Sequence, residues 1–345
     1  IYFVILDEMT SLGEFKKMYN YDLDDFMVFY NLNDYNYIKN TNSSFDVSPT
    51  TIASILNLKP IALPGINIFK SGLTNRLYPN LLSKQNFDIK LYPNLISSLK
   101  KIDYEFKWIG NTLANCQIYN VELCIDFKNK KNEKDLISTY LDVYVLYSFL
   151  KSTPLDEIYR IMNKLKKNKT IGSNNYYLEN DAIDKFINYG KIYSSHFYFI
   201  HQMLPHSPYI YDENCNYKND DMSGNIQDQL RGYKLNYICA LKKIEKLINY
   251  LSKKDPNSIV IIQGDHGFKN NIPTKEPLNL KQFKIFNLIK VPDYCKSFLN
   301  DKIDNINAAR LALSCATESD IKLLEPQIYY SLKTNKKFGE VKVLD

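Results

Sequence analysis

Arginine is scarce in this sequence of 345 residues, since only four of its 44 basic residues are arginine. Proteins dedicated to nucleic acid usually cluster arginine, so this composition and a modest net charge of +6 argue against a nucleic-acid partner. The chain also lacks any apolar run of about 18 residues, the length that spans a membrane. It is nevertheless 45% hydrophobic, which excludes a disordered chain and predicts a globular protein.

No two of the six cysteines form a Cys-x-x-Cys pair, which argues against a zinc ribbon or a thioredoxin-type site. Buried free thiols are the simplest interpretation of these cysteines. Cys116 and Cys124 are the pair whose separation best suits a disulfide across a hairpin. The remaining cysteines are Cys215, Cys239, Cys295 and Cys315.

Unbroken apolar runs at residues 1–6, 197–200 and 259–262 are typical of strands buried on both faces of a parallel sheet. Apolar residues at helical spacing predict a long helix over 222–251 and another over 306–315. Because strands and helices alternate, we expect an α/β fold with a doubly wound, mostly parallel sheet and helices on both faces. The other predicted elements are helices at 12–19, 48–57, 136–150 and 155–166, and strands at 35–38, 117–127 and 283–291.

The length allows two domains, but the chain shows neither an internal repeat nor a clear linker. We therefore expect one catalytic-type domain over 1–345. Its less regular middle region, 60–190, is predicted to form insertions and the substrate region.

Polar clusters follow three of the apolar strands. Asp7 and Glu8 come directly after the first strand, and Asp265 and His266 follow the run at 259–262. The run at 197–200 leads through His201 to His206. Ligands of open α/β sheets bind beyond the carboxyl ends of the strands, so these side chains should converge. Asp7, Asp265 and His266 would form a mixed oxygen and nitrogen set that suits Zn²⁺, Mn²⁺ or a related ion.

A hydroxyl at the start of the helix at 48–57 is the candidate fourth ligand and nucleophile. Ser48 before Pro49 is a helix-start signal in which the serine caps the helix. Helix N-termini favour anions, and contact with a metal would lower the pKa of the hydroxyl. His206 would then bind the substrate oxyanion or protonate the leaving group.

Simpler interpretations exist for each part of this set. A carboxylate at a strand end, such as Asp7, is often a helix cap, and an isolated Asp-His-Gly triplet is often a solvated turn. We interpret His196 and His201 as structural. The conjunction of the acidic strand end, the hydroxyl-bearing helix and Asp265-His266 is more specific than any part alone.

The order of these motifs resembles the sulfatase-like branch of the alkaline phosphatase superfamily. That branch includes arylsulfatases, lipoteichoic acid synthases and phosphoethanolamine transferases. The similarity covers almost the whole chain. It lies in the strand and acid of 1–8, the helix of 48–57, the His-x-Pro-aromatic segment of 204–209, the Asp-His-Gly strand end of 261–267, and the segments 283–287 and 307–313.

The resemblance implies that Asp7, Asp265 and His266 ligate one divalent metal ion, with Glu8 as a weaker candidate. Zn or Mn is the expected metal, with Mg or Ca as alternatives. His206 would contact the transferred group. The implied nucleophile is Ser48, with Thr50 second and Thr51 third.

The chain departs from the arylsulfatases, whose signature cysteine matures to a formylglycine. It has no Cys near position 48 and no Arg after it. This favours a metal-dependent phosphotransferase or phosphodiesterase that acts on an envelope glycan or lipid head group. The alternatives are a sulfuric ester hydrolase of the same fold and a catalytically degenerate domain that binds a glycan or a partner protein.

The sequence opens on Ile1 rather than Met and enters a strand pattern at once. We expect an excised domain or a processed chain whose membrane helices lie upstream. The resemblance implies a bacterial protein at the extracytoplasmic face of the inner membrane.

Overall fold

The computed structural model describes residues 1–61, 93–110, 123–125, 182–218, 221–269, 280–300, 303–320 and 322–330, together with three short strands near the C-terminus. Its elements belong to one compact unit built from Ile1–Asp126 and Asn180–Asp345. Among the described residues, no helix is long and apolar enough to cross a membrane.

A seven-stranded mixed sheet forms the centre of this unit. Its strands are β1 (Tyr2–Leu6), β2 (Asn36–Tyr37), β3 (Glu105–Gly110), β4 (Leu123–Ile125), β5 (His196–Gln202), β6 (Val260–Gly264) and β7 (Asn287–Lys290). Their order is β2-β7-β6-β1-β5-β3-β4. The five strands from β6 to β4 are parallel, whereas β7 is antiparallel to both of its neighbours. Near the C-terminus, β8 (Ile328–Tyr330) pairs with β11 (Lys342–Leu344), and β9 (Lys333–Thr334) pairs with β10 (Lys337–Phe338).

Helices cover both faces of the sheet. They are α1 (Leu12–Tyr19), α2 (Asp24–Leu32), α3 (Ser48–Asn57), α4 (Asn94–Lys100), α5 (Ala182–Tyr189), α6 (Ile226–Lys254) and α7 (Asn305–Thr317), with 3-10 turns at Leu280–Phe283 and Asp293–Phe298. Successive side chains of a strand point to opposite faces. Phe3 accordingly packs into a core with α3, α4 and α7. Tyr2 meets Phe186 of α5 at 5.6 Å between ring centroids, and Phe186 in turn meets Tyr250 of α6. The predicted three-layer, doubly wound architecture is confirmed.

The boundaries of two predicted elements differ from the observed ones. The long helix begins at Ile226 rather than at 222, because the Asn225 side chain accepts a hydrogen bond from the backbone N–H of Asp228 and caps it. The strand predicted over 283–291 is regular only from Asn287, since the preceding residues form a 3-10 turn and isolated bridges. The helices predicted at 136–150 and 155–166, and most of the strand at 117–127, lie outside the described residues.

Two disulfide bonds connect cysteines that are distant in sequence. Cys215 pairs with Cys239, and Cys295 pairs with Cys315. The prediction of free thiols is therefore wrong for these four residues. Helix α6 brings Cys239 against a preceding loop, and α7 brings Cys315 against the preceding 3-10 turn, with Cα–Cα distances of 5.0 Å and 5.9 Å, which sequence spacing does not reveal. Cys116 lies outside the described residues, so its pairing with Cys124 stays a prediction.

Candidate functional site

Asp7 and Asp265 lie side by side because the strands that precede them are neighbours. β1 and β6 are parallel, and Leu6 is paired with Gly264, so the next residue of each strand emerges at the same sheet edge. Asp7, Asp265 and His266 are buried, and one ligand atom from each lies within 4.8 Å of the other two. The structure thus brings the three predicted metal-ligating residues together.

The turn after β1 passes close over the end of β6. A Cβ atom on Gly264 would lie 2.3 Å from the carbonyl oxygen of Met9, so only glycine fits at this position. The same turn places the backbone N–H of Glu8 2.9 Å from Asp265 Oδ1, which also accepts from the backbone N–H of His266 at 2.8 Å. One oxygen of Asp265 is thereby fixed to the main chain.

The remaining carboxylate oxygens are buried without hydrogen bonds. Among the described residues, neither Asp7 Oδ1 nor Asp265 Oδ2 has a hydrogen-bond partner. Buried polar atoms are nearly always satisfied, so two unsatisfied anionic oxygens in one place need an explanation. A bound cation provides one, because it would satisfy both atoms at once.

The tautomer of His266 follows from its surroundings. Nδ1 lies 2.9 Å from the carbonyl oxygen of Gly267, which can only accept, so Nδ1 carries the proton. Nε2 then has its lone pair available, as in a metal-ligating histidine. It lies 3.9 Å from Asp7 Oδ1 and 3.7 Å from Asp265 Oδ2. Two carboxylate oxygens and one imidazole nitrogen are a donor set that fits Zn²⁺ or Mn²⁺.

Ser48 is the hydroxyl residue that reaches this cluster. Its Oγ lies 3.3 Å from His266 Nε2. The prediction that Ser48 caps α3 is wrong, because the N-cap position is Val47 and no side chain there makes a capping hydrogen bond. Ser48 is instead the first helical residue, and its hydroxyl faces the cluster from the N-terminal end of α3.

The two alternative nucleophiles are placed differently. Thr51 Oγ1 lies 3.1 Å from the carbonyl oxygen of Phe45, to which it donates a hydrogen bond. Thr50 is 1% exposed and is not among the described residues that line the adjacent cavity, whereas Ser48 is. This geometry favours Ser48 over Thr50 and Thr51.

A cavity of about 450 Å³ opens beside the cluster. His206 lines it, and the backbone N–H of His206 donates to the carbonyl oxygen of Asp7 at 3.1 Å. His206 Nδ1 lies 2.6 Å from the carbonyl oxygen of Ser207, to which it donates, so proton exchange with a ligand falls to Nε2. Burial would lower the pKa of His206, but the carboxylates of Asp7 and Glu8 outweigh that effect and raise it to about 8.

Glu8 lines the same cavity but is not part of the three-residue ligand cluster. Its backbone has a positive φ of 65°, which turns the chain away from the strand direction. Its Oε1 accepts from the backbone N–H of Lys269 at 2.8 Å. Burial raises the pKa of the Glu8 carboxyl group above its ordinary value. Glu8 is placed to influence a ligand in the cavity rather than to complete the cluster.

Two residues near the site were not predicted from the sequence. Lys269 lines the cavity, and its Nζ lies 3.7 Å from Asp46 Oδ2. His201, for which the sequence predicts a structural role, is fully buried with Nε2 3.3 Å from Asp7 Oδ2. The signal for His201 is the alternation of β5, which places it on the same face as Phe199.

His196 lies at the other end of β5. Its Nε2 is 2.9 Å from Glu105 Oε2 at the start of β3, where the amino ends of the parallel strands meet. This position is remote from the metal-ligand cluster and is consistent with the structural role predicted for it.

The model of the Sulfatase family matches residues 73–283 of this chain. A search by sequence among curated proteins finds no match. Among solved structures, the C-terminal periplasmic domain of EptC from Escherichia coli is 13% identical with a TM-score of 0.55, covering 99% of this chain and 91% of that one. The same domain in complex with Zn has a TM-score of 0.52 at 13% identity, covering 98% of this chain and 91% of that one. The lipoteichoic acid synthase LtaP from Listeria monocytogenes is 14% identical with a TM-score of 0.51, covering 96% of this chain and 77% of that one. At these identities the structural likeness concerns the fold.

Proposed function

This chain belongs to the sulfatase family, and from that premise we propose that it is a metal-dependent phosphotransferase or phosphodiesterase with Ser48 as its nucleophile. One observation carries the proposal. Two buried carboxylate oxygens without partners among the described residues, one imidazole lone pair and one serine hydroxyl face each other at the carboxyl edge of the sheet.

Asp7, Asp265 and His266 would hold a divalent ion, which would lower the pKa of the Ser48 hydroxyl and offset negative charge on the transferred group. Ser48 gives up its proton to solvent, and Oγ attacks the phosphorus of the substrate. The Oγ–P bond forms as the bond from phosphorus to the leaving oxygen breaks. The positive end of the α3 dipole favours the extra negative charge of the transition state at this position.

His206 supplies the proton that the leaving oxygen needs. With Nδ1 committed to Ser207, its Nε2 proton is the one that can be transferred. In the second half of the reaction the same nitrogen accepts a proton from an acceptor hydroxyl or a water molecule, which attacks the phosphoserine. As the Oγ–P bond breaks, the Ser48 oxygen takes back a proton from solvent, and His206 is again in its protonated form.

The proposed substrate class is a phosphoester on a glycan or a lipid head group of the cell envelope. Support comes from the cationic side chains of His206 and Lys269 in the cavity wall, which favour an anionic ligand. Two fold neighbours also support this class. The EptC structure is that of a periplasmic domain, and LtaP is a lipoteichoic acid synthase.

We place the protein on the extracytoplasmic side of the envelope. The Cys215–Cys239 and Cys295–Cys315 disulfides support this location, because disulfides persist in oxidising compartments and are rare in the cytosol.

A sulfuric ester hydrolase is the second candidate, and the match to the Sulfatase family favours it. That match begins at residue 73, after the helix that carries Ser48, so it does not bear on the nucleophile. Position 48 is serine rather than the signature cysteine of the arylsulfatases that the chain resembles.

The test combines metal analysis with paired substrates. The purified chain should contain or take up one equivalent of Zn²⁺ or Mn²⁺ and should hydrolyse an aryl phosphodiester faster than an aryl sulfate. The opposite preference would favour the sulfatase. Metal binding without turnover of either ester would indicate a degenerate domain that binds a glycan or a partner.

Nucleophile assignment uses single substitutions in α3. Ser48→Ala should reduce kcat at least about 1,000-fold, since the covalent route is lost. The matched control is Ser54→Ala, which makes the same change six residues later in the helix. Ser54 Oγ donates a hydrogen bond to the backbone oxygen of Thr50 at 2.8 Å. Thr50→Ala and Thr51→Ala test the other two candidates, and a larger loss in either would overturn the assignment to Ser48.

A further inference from the structure

We propose that His201 is a positioning residue of the metal site, which holds Asp7 so that one of its two oxygens points at the ion. The inference rests on the proposed function, because it presupposes an ion between Asp7, Asp265 and His266. It concerns the contact of 3.3 Å between His201 Nε2 and Asp7 Oδ2.

The polarity of that contact is defined. A carboxylate oxygen can only accept, so the Nε2 proton of His201 faces Asp7 Oδ2, in an ion-pair contact whose angle is not that of a regular hydrogen bond. The other oxygen, Oδ1, is the one without a hydrogen-bond partner among the described residues and lies 3.9 Å from His266 Nε2. The two oxygens of Asp7 therefore have different surroundings, since Oδ2 contacts the His201 imidazole and Oδ1 faces His266.

The main chain of Asp7 is held by the same segment that supplies His201. The backbone N–H of Asp7 donates to the carbonyl oxygen of Gln202 at 3.0 Å, and its carbonyl oxygen accepts from the N–H of His206 at 3.1 Å. The end of β5 and the loop after it thus contact Asp7 at three points. With its backbone fixed at both sides, rotation of the carboxylate is the freedom that remains, and the imidazole of His201 restricts it.

His201 is itself rigid. Its side chain is fully buried, and its position in β5 is paired with Ile5 of β1 on one side and with Gly110 of β3 on the other. Gly110 has a φ of +118°, and a Cβ atom there would lie 2.2 Å from the carbonyl oxygen of His201. Two strands therefore confine the backbone of His201, and complete burial restricts the movement of its imidazole.

This arrangement matters for metal affinity. Residues that contact the metal ligands, but not the metal, orient those ligands. The loss of such a residue commonly weakens metal binding 10- to 100-fold. Without a donor at Oδ2, the buried carboxylate of Asp7 would hold an unsatisfied anionic oxygen and could turn that oxygen toward the ion or toward His206. Either rearrangement misplaces Oδ1 relative to Asp265 and His266.

The test is zinc titration of the metal-stripped chain by calorimetry, in four forms. His201→Gln retains an N–H donor at about the reach of Nε2, whereas His201→Met fills a similar volume without a donor. His196→Gln is the matched control, because it makes the same change at the other end of β5. We expect His201→Met to raise the Kd for Zn²⁺ roughly 10- to 100-fold, and His201→Gln and His196→Gln to stay within about threefold of wild type.

Equal zinc affinity in His201→Met and wild type would overturn the proposal. A loss of zinc affinity in His201→Gln as large as that in His201→Met would also overturn it, because the imidazole would then act through packing. If His201→Met does not fold, His201→Asn replaces it, since its amide is one methylene shorter and cannot reach Asp7. Zinc binding as tight as that of His201→Gln would then count against the proposal. A wild-type chain that binds neither Zn²⁺ nor Mn²⁺ would refute the metal-dependent function itself.

Discussion

Replacing Asp265 with asparagine would remove one of the proposed anionic metal ligands while changing little else. Asp265 Oδ1 accepts two backbone hydrogen bonds, from Glu8 and His266, and an amide oxygen can accept both. The change therefore falls on Oδ2, which becomes an NH₂ group that faces Asp7 and His266. An NH₂ group cannot ligate a cation as a carboxylate oxygen does, so only Asp7 and His266 would remain of the three proposed metal ligands.

The expected magnitude follows from linkage between binding and folding. At a free Zn²⁺ concentration 100 times Kd, binding stabilises the wild-type fold by about 2.7 kcal/mol. If Asp265→Asn weakens zinc binding about 100-fold, the same concentration equals Kd and stabilises the variant by only about 0.4 kcal/mol. At roughly 2 °C per kcal/mol for a protein of this size, zinc should raise the wild-type Tm by about 5 °C and the variant Tm by about 1 °C.

Differential scanning calorimetry with and without zinc measures both shifts. The control is Asp212→Asn, because the Asp212 carboxylate accepts hydrogen bonds within its own exposed turn and lies outside the cluster. It should respond to zinc like the wild type. An equal zinc response in Asp265→Asn and wild type would refute the assignment of Asp265 as a ligand.

Two further predictions concern stability. In the metal-free protein the pKa of His206 is about 8, because the effect of Asp7 and Glu8 outweighs the opposing effect of burial. In the unfolded chain the pKa of a histidine is about 6.5. The difference means that the protonated imidazole stabilises the fold by about 2 kcal/mol. That contribution is complete below about pH 6.5 and disappears as the pH rises through 8; urea titrations with chelator should show the fall, and His206→Gln should abolish it. Reducing the Cys215–Cys239 and Cys295–Cys315 bonds, which join residues 24 and 20 apart, should cost about 3 kcal/mol each. Unfolding curves with and without dithiothreitol measure this cost, and coincident curves would contradict it.

The central part of the fold could be predicted because local pattern and tertiary position agree there. The apolar runs of β1, β5 and β6 are buried on both faces of the sheet, so polar and apolar residues do not alternate within them. The three strands are neighbours in the sheet. Parallel neighbours end at one sheet edge, so the polar residues that follow β1 and β6 had to meet. Asp7, Asp265 and His266 were found in this way.

Other features depend on contacts that local patterns do not encode. Ser48 was predicted as a helix cap, yet its hydroxyl turns to His266 because Val47 occupies the cap position. The two disulfides require helices to carry cysteines against distant loops. The position of His201 near the carboxyl edge, with its side chain on the same face of β5 as Phe199, can be read from the sequence, but its contact with Asp7 depends on the pairing of β5 with β1.

The central claim is that Ser48 becomes covalently phosphorylated during turnover, and mass spectrometry tests it most directly. The zinc-loaded chain is mixed with bis(4-nitrophenyl) phosphate, quenched with acid during turnover and digested. We predict a nitrophenylphosphoryl or phosphoryl group on Ser48, which is absent from Ser48→Ala and retained in Ser54→Ala. Turnover with the adduct on Thr50 or Thr51, or with no adduct on α3, would contradict the account.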